Sequence, residues 1–285
     1  MNAFLAHLTR PVAVLVLFGL VRLAPVVAAD HLLDRRYDQA AYLVTHNAMS
    51  NRAEGWLFPN QSFGLTRQLA EGVRGLMLDV HTVNGRPYLV HNKPLLGKRP
   101  LLEGLKEIAR FLKSHPQAVV TIIFESYVPS KAMRQAFRDA GLLALLHHQQ
   151  RKDAWPTLKT MIKRKKQLVV FTDRGGGDWP GYHDVWSFCQ ETHFSVKRVA
   201  DFSYRRNRGR ADNGLMILNH FLTNPIASPS LARRANAASI LEPRVLKCQA
   251  ATRYFPNFIV VDFYEIGAAR RIVKRLNESQ HPGQR

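Results

Sequence analysis

The sequence predicts an α/β fold in which a mainly parallel sheet closes into a (β/α)8 barrel, and three observations carry that prediction. Apolar runs without period-two alternation, such as Val119 to Phe124, read as strands buried on both faces. Stretches of helical periodicity separate them, so strands and helices alternate along the chain. Four of the runs end on a polar residue with a chemical function: Tyr42 to Thr45 on His46 and Asn47, Gly75 to Leu78 on Asp79, Val119 to Phe124 on Glu125, and Asn257 to Val261 on Asp262. An open doubly wound sheet fits the alternation equally well, but it concentrates its chemistry at one switch point. Barrel enzymes instead draw on the C-terminal ends of several strands. The Gly-rich phosphate fingerprint of many nucleotide-binding open sheets is also missing.

The first 29 residues hold no acid, carry Arg10, and run through PVAVLVLFGL to the small residues Val27-Ala28-Ala29. This pattern predicts an export signal cleaved after Ala29, and hence a secreted or periplasmic chain with one domain over residues 30–285. The apolar core is short for a membrane span and Arg22 interrupts it; an uncleaved anchor is the alternative. No later stretch has the length and hydropathy of a transmembrane helix.

Taken in order, Asp30 to Ala40 reads as a short helix leading into the strand Tyr42 to Thr45. Residues 47–64, rich in Gly, Pro, Asn and Ser, read as a long loop of the kind that carries function. A helix over Leu65 to Glu71 precedes the stretch GVRGLMLDVHTVNGRPYLVHN, Gly72 to Asn92. There a strand ends on Asp79, an Asn84-Gly85 turn reverses the chain, and a second short strand delivers His91. Leu101, Leu105, Ile108, Ala109 and Leu112 mark one face of a helix that His115-Pro116 stops. Ser130 is expected to cap a helix reaching about Ala140, and Leu158 to Lys165 forms another. Strands follow at Gln167 to Thr172 and Gly214 to Asn219, with a basic, aromatic stretch between them that shows no period. Asn257 to Val261 is the last strand and Ala268 to Leu276 the closing helix. Strand parity puts Met77 with Asp79, Ile123 with Glu125, and Val260 with Asp262, so each carboxylate is the last inward-facing residue of its strand.

The formal net charge is +20, or +18 without Arg10 and Arg22, which favours polyanionic surfaces such as phospholipid headgroups, envelope polymers or nucleic acid. The clusters at Lys163 to Lys166 and Arg205 to Arg210 read most simply as a solvated helix face and a mobile loop. Cys189 and Cys248 are the only cysteines; in an exported chain they either pair or stay free, and sequence alone does not decide.

The motifs THN at Thr45 to Asn47, GVRGLMLD to Asp79, YLVH to His91, VVTIIFE to Glu125 and PNFIVVDFYE around Asp262 resemble the X domain of phosphatidylinositol-specific phospholipase C and its single-domain relatives. The resemblance covers most of residues 30–285, with the motifs in family order. It implies a TIM-like barrel, often distorted or incompletely closed, and phosphodiester cleavage by two histidines. His46 is similar to the general base, His91 to the general acid, and Asp262 to the carboxylate that orients the base. Asn47, Asp79 and Glu125 match calcium-binding positions of metal-dependent members, whereas metal-independent bacterial members have arginine in the place of Asp79. Oxygen donors of this kind suit Ca²⁺, or Mg²⁺, rather than zinc. Met77 departs from the pattern, since metal-dependent eukaryotic members have glutamate there, and weaker or water-filled coordination is expected.

The partners implied are a phospholipid or inositol phosphodiester and the surface of an anionic membrane, with no nucleic acid. A glycerophosphodiester or sphingomyelin-type phosphodiesterase, and a basic lipid-binding or envelope-binding protein with little activity, stay open as alternatives. His81 and His220 read as structural, Asp173 as a loop cap and Lys93 as solvated. Trp56, Phe58 and Trp179 fit either a membrane interface or ordinary packing.

Overall fold

Parallel pairing carried from strand to strand sets the architecture. The computed structural model describes residues 32–279; the expected export signal lies outside them. The chain first forms β1 (Tyr42–Thr45), α1 (Leu65–Ala70), β2 (Gly75–Val83), β3 (Arg86–Leu89), β4 (Arg99–Pro100) and α2 (Leu101–Ser114). Then come β5 (Val120–Ser126), α3 (Ser130–Asp139), α4 (Leu158–Lys163), β6 (Leu168–Thr172), β7 (Tyr182–Asp184), α5 (Val185–Phe188) and β8 (Cys189–Thr192). The last part holds β9 (Arg206–Arg208), β10 (Leu215–Asn219), α6 (Pro229–Ala235), α7 (Ala238–Thr252), β11 (Phe258–Val261) and α8 (Ala269–Glu278).

The strands β7-β6-β5-β2-β1-β11-β10-β8 run parallel in that order, as in a TIM-like barrel. One seam stays open: among the described residues no ladder joins β7 to β8, and only the short helix α5 lies between them in sequence. The expected barrel is therefore present and incompletely closed. β3 and β4 extend β2 as an antiparallel flap, and β9 pairs antiparallel with β8.

The parallel strands β1, β6, β10 and β11 are buried at every residue, which explains why their sequences do not alternate. Val44, Ile123, Phe171, Ile217 and Val260 share the barrel interior, with Met77 packed against them. Leu43, Leu78, Ile122, Val170, Leu218 and Ile259 face outward onto helical residues such as Leu105, Ile108, Phe137 and Ile272. The N-terminal end of the barrel is filled with rings. Tyr37 is fully buried there, stacked on Trp155 at 4.4 Å and 5.0 Å from Tyr42, with its hydroxyl 2.6 Å from Thr121 Oγ1. Phe258 and Phe171 complete this plug.

Three local expectations change. Of the helix expected over Asp30 to Ala40, the described residues from Leu32 onward form only a 3-10 turn, Tyr37–Gln39, whose tyrosine enters the barrel. Pro129, not Ser130, precedes α3 as its cap residue, and the Ser130 hydroxyl instead donates to Asp178. The stretch without a period holds β7, α5, β8 and β9, each of three or four residues, too short for periodicity to register. The cysteines are free: Cys189 packs in the interior cluster and Cys248 in the outer one. Burial raises the Cys189 thiol well above its usual pKa and that of Cys248 to about 11, so neither is a ready nucleophile. Among the described residues no helix is long and apolar enough to cross a membrane.

Removing the plug should be costly. Tyr37→Ala is expected to lower unfolding free energy by about 3–5 kcal/mol, as for other buried aromatic truncations. Tyr37→Phe, which removes only the bond to Thr121, should cost about 1 kcal/mol in the same urea titration.

Candidate active site

Because β1 and β11 pair with Thr45 opposite Val261, the next residues, His46 and Asp262, leave the rim side by side. The His46 N–H continues the ladder to Val261 O at 3.0 Å. Val44 and Val260 face inward, so His46 and Asp262 do as well. Their side chains meet with Nδ1 2.9 Å from Asp262 Oδ1. Asp262 is buried, and Asn60 from the loop after β1 donates to the same oxygen at 3.0 Å. Phe221 lies parallel to the imidazole, 3.8 Å between ring centroids. These contacts fix the ring and leave Nε2 as its free nitrogen. Asn47 and Phe263, the residues just after His46 and Asp262, take left-handed φ of 45° and 44°, which turns the chain off the rim. Asparagine tolerates this conformation; at Phe263 it is strained, and the bond from Phe263 N–H to Asn60 O at 2.8 Å helps hold it.

A second imidazole–carboxylate pair forms on β2. The Asn84-Gly85 turn has positive φ at both residues, as a tight hairpin requires, and β3 returns the chain alongside β2. His91, two residues past β3, then sets Nδ1 3.2 Å from Asp79 Oδ2. Asp79 is opposite Glu125 in the β2–β5 register, so two inward carboxylates sit on neighbouring strand ends. Glu125 accepts from the Tyr127 hydroxyl, and that bond together with burial raises the phenol pKa. The Tyr127 ring stacks on His81 at 4.3 Å and carries the Arg174 guanidinium at 4.1 Å.

His46, Asn47, Met77, Asp79 and Glu125 line one cavity of about 300 Å³ at the C-terminal rim. Its far wall comes from the stretch that shows no period: Trp186, Glu191, Phe194 and Arg208, with Asn219 and Phe221 from the end of β10. Glu191 is buried and bound by Arg208 Nε at 2.5 Å and Asn219 Nδ2 at 3.0 Å. Asp173 also lines the cavity; it accepts from Ser126 N–H at 2.8 Å, and burial raises its carboxyl pKa.

Residues 32–277 match the family model described as PI-PLC X 1. The chain belongs to the PI-PLC X family. A PI-PLC X domain-containing protein of Arabidopsis thaliana is 29% identical over 85% of this chain and 62% of its own length. An uncharacterised secreted protein of Arthroderma benhamiae is 27% identical, over 87% of this chain and 63% of its own length. The chain thus spans less than two thirds of these two relatives. The phosphatidylinositol-specific phospholipase C of Listeria monocytogenes has the same fold, with a TM-score of 0.57 at 14% identity, covering 87% of this chain and 96% of that one.

Within this PI-PLC X rim, the structure brings His46, Asn47, Asp79 and Glu125 to one cavity, while Asp262 and His91 are not among its lining residues and join it through His46 and Asp79. Among the described residues no three His, Cys, Asp or Glu side chains gather as a metal cluster. Asn47, Asp79 and Glu125 nonetheless supply oxygen donors to a shared space, a set that fits a hard cation completed by water and substrate. Met77 puts a thioether beside them.

Two plain readings are corrected, and others are resolved. Asp173 lines the site rather than merely capping a loop, and Arg208 of the basic run is part of its wall. Trp56 and Trp179 are buried, while Phe58 is exposed. His220 is structural, with Nε2 2.8 Å from Ala235 O; its burial lowers its pKa to about 3. Asn60, Glu191 and Phe221 have no sequence signal of their own, apart from the functional look of the loop that holds Asn60, and Arg208 was marked only as one residue of a basic cluster.

Asn60→Leu should unfold about 1–3 kcal/mol more easily in urea, because the buried Asp262 loses a donor. A neutral result would mean that water or another side chain already serves Asp262.

Proposed function

We propose that the chain is an exported phosphodiesterase of the phospholipase C kind, acting on the headgroup phosphodiester of a phospholipid, an inositol lipid first among them. The observation that supports this best is the presence of two imidazole–carboxylate pairs, His46–Asp262 and His91–Asp79, on one rim. In-line displacement at phosphorus needs a base for the attacking hydroxyl and an acid for the leaving oxygen, and a histidine pair can hold both states near neutral pH.

In this reading His46 Nε2 takes the proton of the inositol 2-hydroxyl while Asp262 holds Nδ1–H and stabilises the imidazolium. The alkoxide attacks phosphorus, and His91 gives its proton to the diacylglycerol oxygen as that bond breaks. The products are a cyclic inositol phosphate and diacylglycerol; water and reversed histidine roles then open the ring. Asn47, Asp79 and Glu125 would hold Ca²⁺, or Mg²⁺, which when bound lowers the hydroxyl pKa and offsets phosphorane charge. Asp79 also orients His91, so its carboxylate has two duties.

Export is supported by the N-terminal pattern and by the secreted relative. Contact with an anionic membrane is supported by the rim itself. Leu57, Phe58, Leu95, Tyr127, Phe194 and Ile226 are large exposed apolar residues in loops that follow strands at this end. Leu57 N–H bonds Leu96 O at 2.8 Å, and Gly97 lies so close to Trp56 that a Cβ would clash, so two loops are joined into one apolar tip. Exposed Lys93 and Lys98 sit beside it.

His46→Ala and His91→Ala are each expected to lower turnover of phosphatidylinositol vesicles by ~10² to 10⁴, with calcium titration raising wild-type turnover. Near wild-type rates in either variant would refute the mechanism, and vesicle binding without cleavage at any calcium level would favour the binding-protein alternative that Met77 motivates. Phe58→Ser with Leu95→Ser should weaken binding to anionic vesicles on the order of tenfold or more in sedimentation assays.

A further inference from the structure

We propose that the end of the barrel opposite the catalytic cavity carries a second anion site, built from His147, His148, Arg164 and Lys166, that takes the phosphate groups of a linear phosphate-bearing polymer. This stands independently of the phosphodiesterase reading.

Strand β6 links the two ends. Its last residue, Thr172, precedes Asp173 of the catalytic cavity. Its first, Leu168, bridges to Leu146 and accepts from His147 N–H at 2.8 Å, so His147 and His148 lie at the foot of the barrel. Arg164 and Lys166 reach the same place from the turn that joins α4 to β6. In that turn Lys165 takes a left-handed φ of 52°, and the N–H groups of Lys165 and Lys166 close on Ile162 O and Met161 O, both at 2.9 Å. This double closure fixes the directions in which the basic side chains leave the helix.

The four side chains line one cavity of about 300 Å³ whose other walls are apolar, and among the described residues no carboxylate lines it. Arg164 makes no hydrogen bond or ion pair among the described residues, which leaves its guanidinium open to an oxyanion. Lys166 Nζ donates once, to Ala144 O at 2.7 Å, and keeps two donors. His147 is buried, and its Nε2–H donates to Gln149 Oε1 at 2.9 Å. The amide is oriented by its own bonds from Nε2 to Gln150 O and Asp153 O. That leaves His147 Nδ1 without a protein partner among the described residues, and it becomes a donor when the ring is protonated.

Burial lowers the His147 pKa, and the positive charges of His148, Arg164 and Lys166 lower it further. His183 on β7, the other imidazole acting on this group, is held neutral by burial, with a pKa of about 4. Positive potential is thus gathered here without a balancing acid. An anion held by Arg164 and Lys166 offsets it and favours the His147 imidazolium.

Lys163 and Lys165 are exposed and unpaired beside the cavity, so cations continue outward along the turn. Successive phosphates of one chain can meet them together, whereas a lone ion meets the cavity alone. A membrane surface fits this end less well, because none of the large exposed apolar residues lies within residues 143–166. The same stretch exposes no aromatic ring on which a nucleobase could stack, since Trp155 is buried. A phosphate-rich envelope polymer bound here would hold the protein and leave the rim free.

The test is equilibrium binding of the full chain to polyphosphate at about 0.15 M salt, which screens diffuse charge. Arg164→Gln with Lys166→Gln should weaken binding roughly tenfold or more, the worth of about one charge-assisted hydrogen bond. Lys131→Gln with Arg134→Gln, which removes the same charge from exposed positions on α3, should change it by less than about twofold. In histidine NMR of the wild type, polyphosphate should raise the pKa of His147 and leave that of His220 where it is. An equal loss in the α3 pair would assign binding to overall charge, and inorganic phosphate binding as tightly as the polymer would make this a site for the free ion. Anionic vesicles or single-stranded DNA losing affinity with the Arg164, Lys166 pair while polyphosphate keeps it would assign the surface to membrane or nucleic acid. Each of these results overturns the proposal, as does a His147 pKa that polyphosphate does not move. The NMR measurement decides even where the Arg164, Lys166 pair fails to fold, and no readout depends on turnover.

Discussion

Register between neighbouring parallel strands is the constraint on which this site depends. A one-residue slip of β1 against β11 would turn His46 away from Asp262, because side chains alternate between interior and exterior. The same holds for β2 against β5, where Asp79 and Glu125 are opposite each other. Slippage is opposed by the two apolar layers, since it would exchange the residues that fill the barrel for those that face the helices. Packing far below the rim thus sets the geometry at the rim.

The interior divides along the barrel axis. Aromatic rings fill the N-terminal end, from Tyr37 and Trp155 to Phe258. Toward the other end the inward positions become His46, Asp79, Glu125, Glu191, Asn219 and Asp262, each bound by a neighbour, although the buried Asp262 Oδ2 has no protein partner among the described residues. Asn60 and His46 serve Asp262; Asn207, Asn219 and Arg208 serve Glu191; Tyr127 serves Glu125. A carboxylate-rich rim of this kind repels an anionic substrate unless positive charge is brought to it. The arginines Arg174 and Arg208, and the cation that Asn47, Asp79 and Glu125 would hold, bear on that requirement.

The parts of this arrangement that were legible in the sequence share a physical property: they lie at the ends of apolar runs of four or more residues. Strands β1, β2, β5, β6, β10 and β11 are of that kind, and parity along them already aligned Asp79, Glu125 and Asp262. Strands β7, β8 and β9 are short and largely polar, with no apolar run to mark them, so Glu191 was hidden and Arg208 stood out only as part of a basic cluster. Asn60 lies in a loop whose length signalled function, but its approach to Asp262 depends on the tertiary path of residues 47–64, fixed by contacts such as the Asn51–Gln61 bridge. The cysteines show the same limit, since their separation by the sheet is a property of the layers and not of either neighbourhood in sequence.

The central claim is that two histidines, each held at Nδ1 by a carboxylate, face one substrate. Nitrogen-15 NMR of histidine-labelled protein measures this directly. The account predicts that the neutral rings of His46 and His91 are both the Nδ1–H tautomer and that inositol 1-phosphate shifts both sets of signals together. An Nε2–H tautomer at His46, or a ligand that moves one ring and leaves the other untouched, would contradict it.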